Sequence, residues 1–231
     1  MSNIYVLMGP QGAGKGTQAK MLADRLGLPI VATGNILREI AAADTPLGQH
    51  VKEVLASGAL VGDDILAEVV KARICKPDCS PGCILDGFPR TLPQARLLEK
   101  IAQEGGSRIV VIKIDVPREL LLRRLTGRLV CQRCNSIYHT EFKPPKLDTL
   151  CDLDDEPLFT RQDDNIEAIQ QRLQLYVEKT KPLLDYYAES GRLHRVDGTG
   201  TPENVFARIA AVVAQASNGG TPDGETVNAA Q

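Results

Sequence analysis

Apolar residues fall along this chain in two rhythms that take turns. Short stretches at residues 4–8, 30–32, 83–85, 109–114 and 193–196 are strand-sized, the first three of them unbroken, and read as strands of a parallel sheet, with Val110, Val111 and Ile112 the strongest β signal. Between them the spacing shifts to three and four. Leu22 and Leu26 share one face of a helix over 15–26 that Gly27 closes. Residues 34–75 predict three short helices parted at Thr45-Pro46, Ser57-Gly58 and Gly62-Asp63-Asp64, the last starting behind an Asp cap. A helix from 120 to 125 follows Pro117, residues 166–188 form a long amphipathic helix bent at Pro182, and 202–216 form a closing helix. Between Gly127 and Arg161 both rhythms stop, and cysteines, Pro144-Pro145 and acidic residues mark an inserted loop domain. Residues 217–231, small, polar and glycine-bearing, are expected to be disordered.

Strands alternating with helices predict an α/β protein, a doubly wound parallel sheet with helices on both faces. Its core comprises residues 1–32, 63–126 and 162–216, with insertions at 33–62 and 127–161. The 231 residues, 43% hydrophobic, suffice for one such core. Aromatic content of 4% and the absence of Trp argue against stacking platforms for single-stranded nucleic acid. A net charge of -2 supplies no broad basic field, so phosphate binding must be local and no nucleic-acid partner is expected. No apolar stretch can span a bilayer and the N-terminus reads straight into a strand, which predicts a cytoplasmic protein without a membrane partner. The six cysteines then need a role other than disulfides.

The segment Gly9-Pro10-Gln11-Gly12-Ala13-Gly14-Lys15-Gly16-Thr17 lies between a strand and a helix, the context that turns a glycine-rich run into a phosphate cradle. Its glycines let backbone N–H groups turn toward phosphate oxygens, and the helix start adds the positive end of its dipole. Lys15 supplies a mobile charge. The first hydroxyl after it is Thr17 rather than residue 16, so Mg²⁺ should be held mainly by phosphate oxygens and water. Asp86, ending a strand, either anchors that water or caps the next turn.

Two ligand pairs stand at metal-site spacing, Cys131-x2-Cys134 and Cys151-x2-Asp154. Three thiolates and a carboxylate suit a closed, structural Zn²⁺ site, with iron or cobalt as alternatives and Asp152 or Asp155 as replacements for Asp154. Cys75, Cys79 and Cys83 read as ordinary reduced thiols, because Pro77, Pro81 and Gly82 break any helix that would align them. His50, His139 and His194 are isolated and read as structural or surface residues.

The Gly-Lys-Gly-Thr ending of the cradle, the block Leu85-Asp86-Gly87-Phe88-Pro89-Arg90-Thr91 and the block Thr160-Arg161-Gln162-Asp163-Asp164 together resemble the adenylate kinase family, in order and spacing, over residues 1–216. The resemblance implies Mg²⁺-dependent phosphoryl transfer between ATP and AMP, with ADP as product, by a monomer. It implies that 33–62 is the AMP-binding subdomain, with Thr33, Arg38, Ala59, Leu60, Val61, Gly87, Phe88, Pro89, Arg90 and Gln94 around AMP. On the ATP side it points to Gly12, Ala13, Gly14, Lys15, Gly16, Thr17, Arg124, Arg128, Ile137, Tyr138 and Gly200. Arg161 and Arg172 resemble the arginines that grip AMP and the transferring group. Asp163 and Asp164 either orient arginines and magnesium water or pair with helix N-terminal amides. Some members carry a zinc lid with three cysteines and one aspartate, the pattern found at 127–161. Asn35 stands where Asp is commoner in that family.

Phosphoryl transfer needs donor and acceptor in line and its spreading charge neutralised, which explains a catalytic set of Lys15, Arg90, Arg128, Arg161 and Arg172, with Arg38 behind it. A kinase of CMP or UMP is the nearest alternative. A zinc-ribbon nucleic-acid-binding ATPase module is the alternative from another class.

Overall fold

A computed structural model describes residues 2–161 and 164–217. Five strands, β1 (Asn3–Met8), β2 (Ile30–Ala32), β3 (Gly82–Asp86), β4 (Arg108–Asp115) and β8 (Leu193–Asp197), form one sheet in the order β2-β3-β1-β4-β8. Every pairing in it is parallel. Both faces are covered. Ile4, Val6 and Met8 of β1 join a core with Leu85, Leu98 and Tyr187, whereas Tyr5 and Leu7 join a second one with Leu22, Ile112 and Ile209. A strand alternates its side chains, so an all-apolar run is what two buried faces demand.

The helices follow the predicted periods: α1 (Lys15–Leu26), α2 (Thr33–Ala42), α3 (Pro46–Ser57) and α4 (Asp63–Ile74). The cap assigned to α4 is corrected, because Gly62 holds the cap position and Asp63 lies inside the first turn with its carboxylate engaged elsewhere. One helix escaped the pattern reading altogether, α5 (Leu92–Glu104). Its signal was present: the Thr91 hydroxyl accepts from Gln94 N–H, Pro93 stands in the first turn, and Leu98, Ile101 and Ala102 are buried.

After α6 (Arg118–Thr126) the loop region contains three short strands, β5 (Arg128–Cys131), β6 (Ile137–His139) and β7 (Leu158–Phe159), in a separate antiparallel sheet of order β6-β5-β7. The long helix expected over 166–188 is α7 (Ile166–Leu175), a wide π-helical turn at Tyr176–Thr180 and α8 (Pro182–Glu189). Pro182 has no N–H to give and its ring crowds the preceding turn, and the chain accommodates it by widening that turn, with Lys181 N–H reaching Tyr176 O at 2.8 Å. The closing helix α9 (Pro202–Ser217) ends the described residues, so the disorder expected of the tail falls, past Ser217, outside them.

Sequential connections place β1 at the centre, with β3 on one side and β4 on the other. This is the point where strand order reverses, and ligands of such sheets bind beyond the strands' carboxyl ends there. The register sets Leu7 opposite Asp86, so the loop after Met8 and the end of β3 meet at that crevice.

Candidate active site

The loop between β1 and α1 is shaped by its surroundings. At Gly12, φ is +78° and a side-chain carbon would meet Leu121 O at 2.9 Å, so only glycine fits. Gly14, at φ +90°, caps α1, and Ala13 is buried behind it. The Lys15 ammonium curls back into the loop, donating to Gly9 O (2.9 Å) and Pro10 O (3.0 Å). Burial lowers its pKa to about 8; Asp86 opposes the shift and Arg90, Arg172 and Arg128 add to it. Those interactions locate the charges: four residues from three separate segments, the end of β3, β5 and α7, act on one ammonium. Asp86 Oδ2 lies 3.4 Å from a carbon placed on Gly16, close to part-buried Thr17.

Asp164, whose side chain is fully buried, binds the arginines together. Arg128 Nε donates to its Oδ2 at 2.7 Å and Arg128 Nη2 to its Oδ1, while Arg172 Nη1 stands 3.6 Å from Oδ1. Arg161 is part-buried and its carbonyl accepts from Asp164 N–H (3.0 Å). Arg90 Nε is fixed on Gly87 O (2.8 Å), and Arg38 Nη2 on Asn35 Oδ1 (2.5 Å). Asp163 lies outside the described residues.

A cleft open to solvent lies between α2, α3, α4 and α7. It brings together Thr33, Arg38, Ala59, Leu60, Val61, Arg90, Gln94 and Arg172 from the sequence expectation. Leu37, Leu55 and Leu66 also line it, and nothing in the sequence reading singled them out. Arg161, Gly87, Phe88 and Pro89 are not among the lining residues. The Phe88 side chain is fully buried in the main core, Pro89 follows it through a cis bond, and Gly87 packs on Thr33 and Arg90. Thr33 Oγ1 donates to Asp86 O at 3.3 Å, tying this cavity to the cradle.

On the opposite flank, Arg124 Nη2 donates to Gly198 O (3.1 Å), in the same loop as Gly200. Ile137 reaches over the cradle, its Cδ1 3.5 Å from a carbon placed on Gly16. Tyr138 faces the other way. It is buried, its hydroxyl accepts from Asp152 N–H (2.8 Å) and lies 3.5 Å from Cys151 Sγ, so only its backbone can meet a nucleotide.

Cys131, Cys134, Cys151 and Asp154 gather with their ligand atoms all within 4.8 Å of one another. Two matching turns present them. Asn135 N–H donates to Cys131 O and Asp155 N–H to Cys151 O, and both Asn135 and Asp155 have left-handed φ, 57° and 55°. Hydrogen bonds from the Cys151 and Cys131 thiols hold the Asp154 carboxyl down to about 2, keeping it a ready anionic ligand. Asp152 is engaged elsewhere, on Lys146 N–H (2.8 Å). The residues thus fit a tetrahedral metal. Cys79 and Cys83 are buried, and desolvation pushes the Cys83 thiol up to about 12, far from a reactive thiolate.

The sequence profile of the family described as adenylate kinase matches residues 7–192. A protein of Carboxydothermus hydrogenoformans named adenylate kinase is 47% identical over 205 residues, covering 88% of this chain and 96% of its own. One of Syntrophobacter fumaroxidans with the same name is 46% identical over 90% of this chain and 98% of its own, and one of Methanosarcina barkeri 46% over 90% and 97%. The likeness runs through cradle, cavity and cysteine-bearing sheet alike, and the chain belongs to the adenylate kinase family, phosphotransferases acting on ATP, AMP and ADP with Mg²⁺.

Proposed function

We propose that the cradle at residues 9–17 holds the ATP phosphates and the cavity between α2, α3, α4 and α7 holds AMP, with the phosphoryl group passing between them beneath Arg128 and Arg172. The observation that carries this is the buried Asp164 carboxylate, which Arg128 Nε grips at 2.7 Å and Arg172 Nη1 approaches at 3.6 Å, while Arg172 and Arg90 both line the cavity. Charges drawn from the cradle, the end of β3, the separate small sheet and α7 surround one point, as a transition state with charge spread over equatorial oxygens requires. Lys15 leaves the Gly9 and Pro10 carbonyls for the outer phosphates. Asp164 orients Arg128 and Arg172. Mg²⁺ would come with ATP, and Thr17 and Asp86 are the described residues that would hold it through water. In the cavity, Leu37, Leu60 and Val61 flank the base, Gln94 reads its edge, and Arg38 and Arg90 meet the phosphate. Arg124 and the Gly200 backbone border the ATP base.

Residues 33–62 and 127–161 act as two covers over the substrates, and the reach of Ile137 over Gly16 supports a closed arrangement that excludes water. The cysteine cluster holds structural zinc. A core of Cys131, Tyr138 and Cys151 is too small to fold the lid unaided, and zinc would bind four protein ligands and stiffen the segment. The reduced thiols favour a cytoplasmic home. A site assembled from one chain supports a monomer, and the balanced charge argues against a nucleic-acid partner.

Steady-state kinetics of Arg38→Ala test the assignment of the two pockets. KM for AMP should rise by at least about tenfold while KM for ATP moves less than about threefold. An equal rise in both constants would mean that the two pockets are assigned wrongly.

A further inference from the structure

Asp63 spends its carboxylate in an unexpected place. In the first turn of α4 it could serve that helix's own N–H groups, yet both oxygens turn to α5. Oδ2 accepts from Thr91 Oγ1 at 2.9 Å and Oδ1 from Gln94 Nε2 at 2.6 Å. The other end of the same amide, Gln94 Oε1, accepts from Arg90 N–H at 2.7 Å. Gln94 is 2% exposed and lines the monophosphate cavity.

A glutamine amide has two orientations of nearly equal shape, related by a flip that exchanges its oxygen and nitrogen. A carboxylate can only accept and a backbone N–H can only donate, so this pair of partners admits one orientation. One N–H and one lone pair of Gln94 remain for a base. Orientation then becomes specificity. Adenine presents an amino donor beside a ring-nitrogen acceptor. A 6-oxopurine presents an acceptor beside an N–H donor, which is the complement of the flipped amide. We infer that Asp63 is a positioning residue that sets the base preference of the monophosphate pocket by locking the Gln94 amide in the orientation that suits 6-aminopurines. The inference rests on the reading of Gln94 as the residue that meets the base.

Without Asp63 only the Arg90 N–H opposes the flip, so preference should fall rather than vanish. The test compares kcat/KM for AMP and IMP at saturating ATP. In Asp63→Ala the AMP-to-IMP ratio should drop by about tenfold, the change carried by KM for the monophosphates. Asp63→Asn can still offer its oxygen to Gln94 and its amide to the Thr91 hydroxyl, and should keep the ratio within about threefold of the unaltered protein. A ratio in Asp63→Ala within about twofold of the unaltered protein, with kcat alone reduced, would assign Asp63 a merely structural role and overturn the inference. An equal collapse in Asp63→Asn would make charge, not orientation, the determinant and would overturn it too. Gln94→Leu separates the two readings. If it abolishes the preference while Asp63→Ala does not, only the positioning role fails; if it leaves the preference intact, Gln94 does not read the base and both fail. Should Asp63→Ala not fold, Asp63→Ser, whose hydroxyl is too short to span to Gln94, is read in the same way.

Discussion

Lys15 shows how the site works at the scale of one residue. Its ammonium rests on two carbonyls, and burial, reinforced by Arg90, Arg172 and Arg128 against the pull of Asp86, brings its pKa from 10.5 to about 8. Phosphates reverse that balance by bringing negative charge to the ammonium. The free protein at pH 8 therefore carries Lys15 about half neutral, and ATP binding should draw up close to half a proton there. At pH 6.5 or so the lysine is already charged and its share of the uptake disappears. Calorimetry in two buffers of different protonation heat measures this. Lys15→Met should abolish the uptake along with most turnover, and an uptake that persists in that variant would locate the proton elsewhere. The cradle was legible in the chain because glycines and a lysine between strand and helix have few other uses. Tyr138 was less so. Ile137 and Tyr138 read as a pair of nucleotide contacts, but neighbours on a strand face opposite ways, and β6 sends one side chain to the cradle and the other to the cysteines. Asp63 was read as a cap, because a carboxylate beside Gly62 at a helix start usually is one.

At the scale of elements, most of the main strands and helices were legible from their apolar spacing, but the 13 residues of α5 were passed over although their cap and period were present. The strands β5, β6 and β7 were not legible: four, three and two residues cannot display an alternation. On the proposed reading a metal at the cluster of three cysteines and Asp154 staples them, and the spacing of that cluster was legible although the sheet was not. Removing its metal should therefore loosen the lid before it harms the chemistry. A strong chelator is expected to lower the melting temperature by roughly 10 °C while initial turnover at mild temperature falls less than about twofold. Equal losses in both would place the metal in the reaction itself. The far cover depends on a close approach instead. Gly58 ends α3 at φ +76°, where a side-chain carbon would meet Ala168 O of α7 at 2.9 Å. Gly58→Ala should destabilise the protein by about 1–3 kcal/mol and raise KM for AMP, since α3 can no longer seat on α7. Thermal melts and AMP titrations check both, and an unchanged KM would detach that contact from AMP binding.

Across the whole molecule, a parallel sheet whose order reverses at β1 gathers segments far apart in the chain. The cradle follows β1, Asp86 ends β3, Arg128 opens β5, and Asp164 and Arg172 flank and occupy α7. The sequence offered Asp164 as an orienter of arginines or a partner of helix amides; that its fully buried side chain sits between Arg128 and Arg172 becomes visible only once the small sheet folds over the large one. The family blocks named the arginines; the fold supplies their common target. Calorimetric titration with a diadenosine pentaphosphate, two adenosines joined through five phosphates, tests that convergence most directly. One molecule should bind per chain, more tightly than ATP or AMP alone, with Lys15→Met and Arg172→Ala each weakening it by at least about tenfold. Two molecules per chain, or an affinity no better than that of ATP, would mean that the cations serve separate sites and the two pockets do not share a row of phosphates.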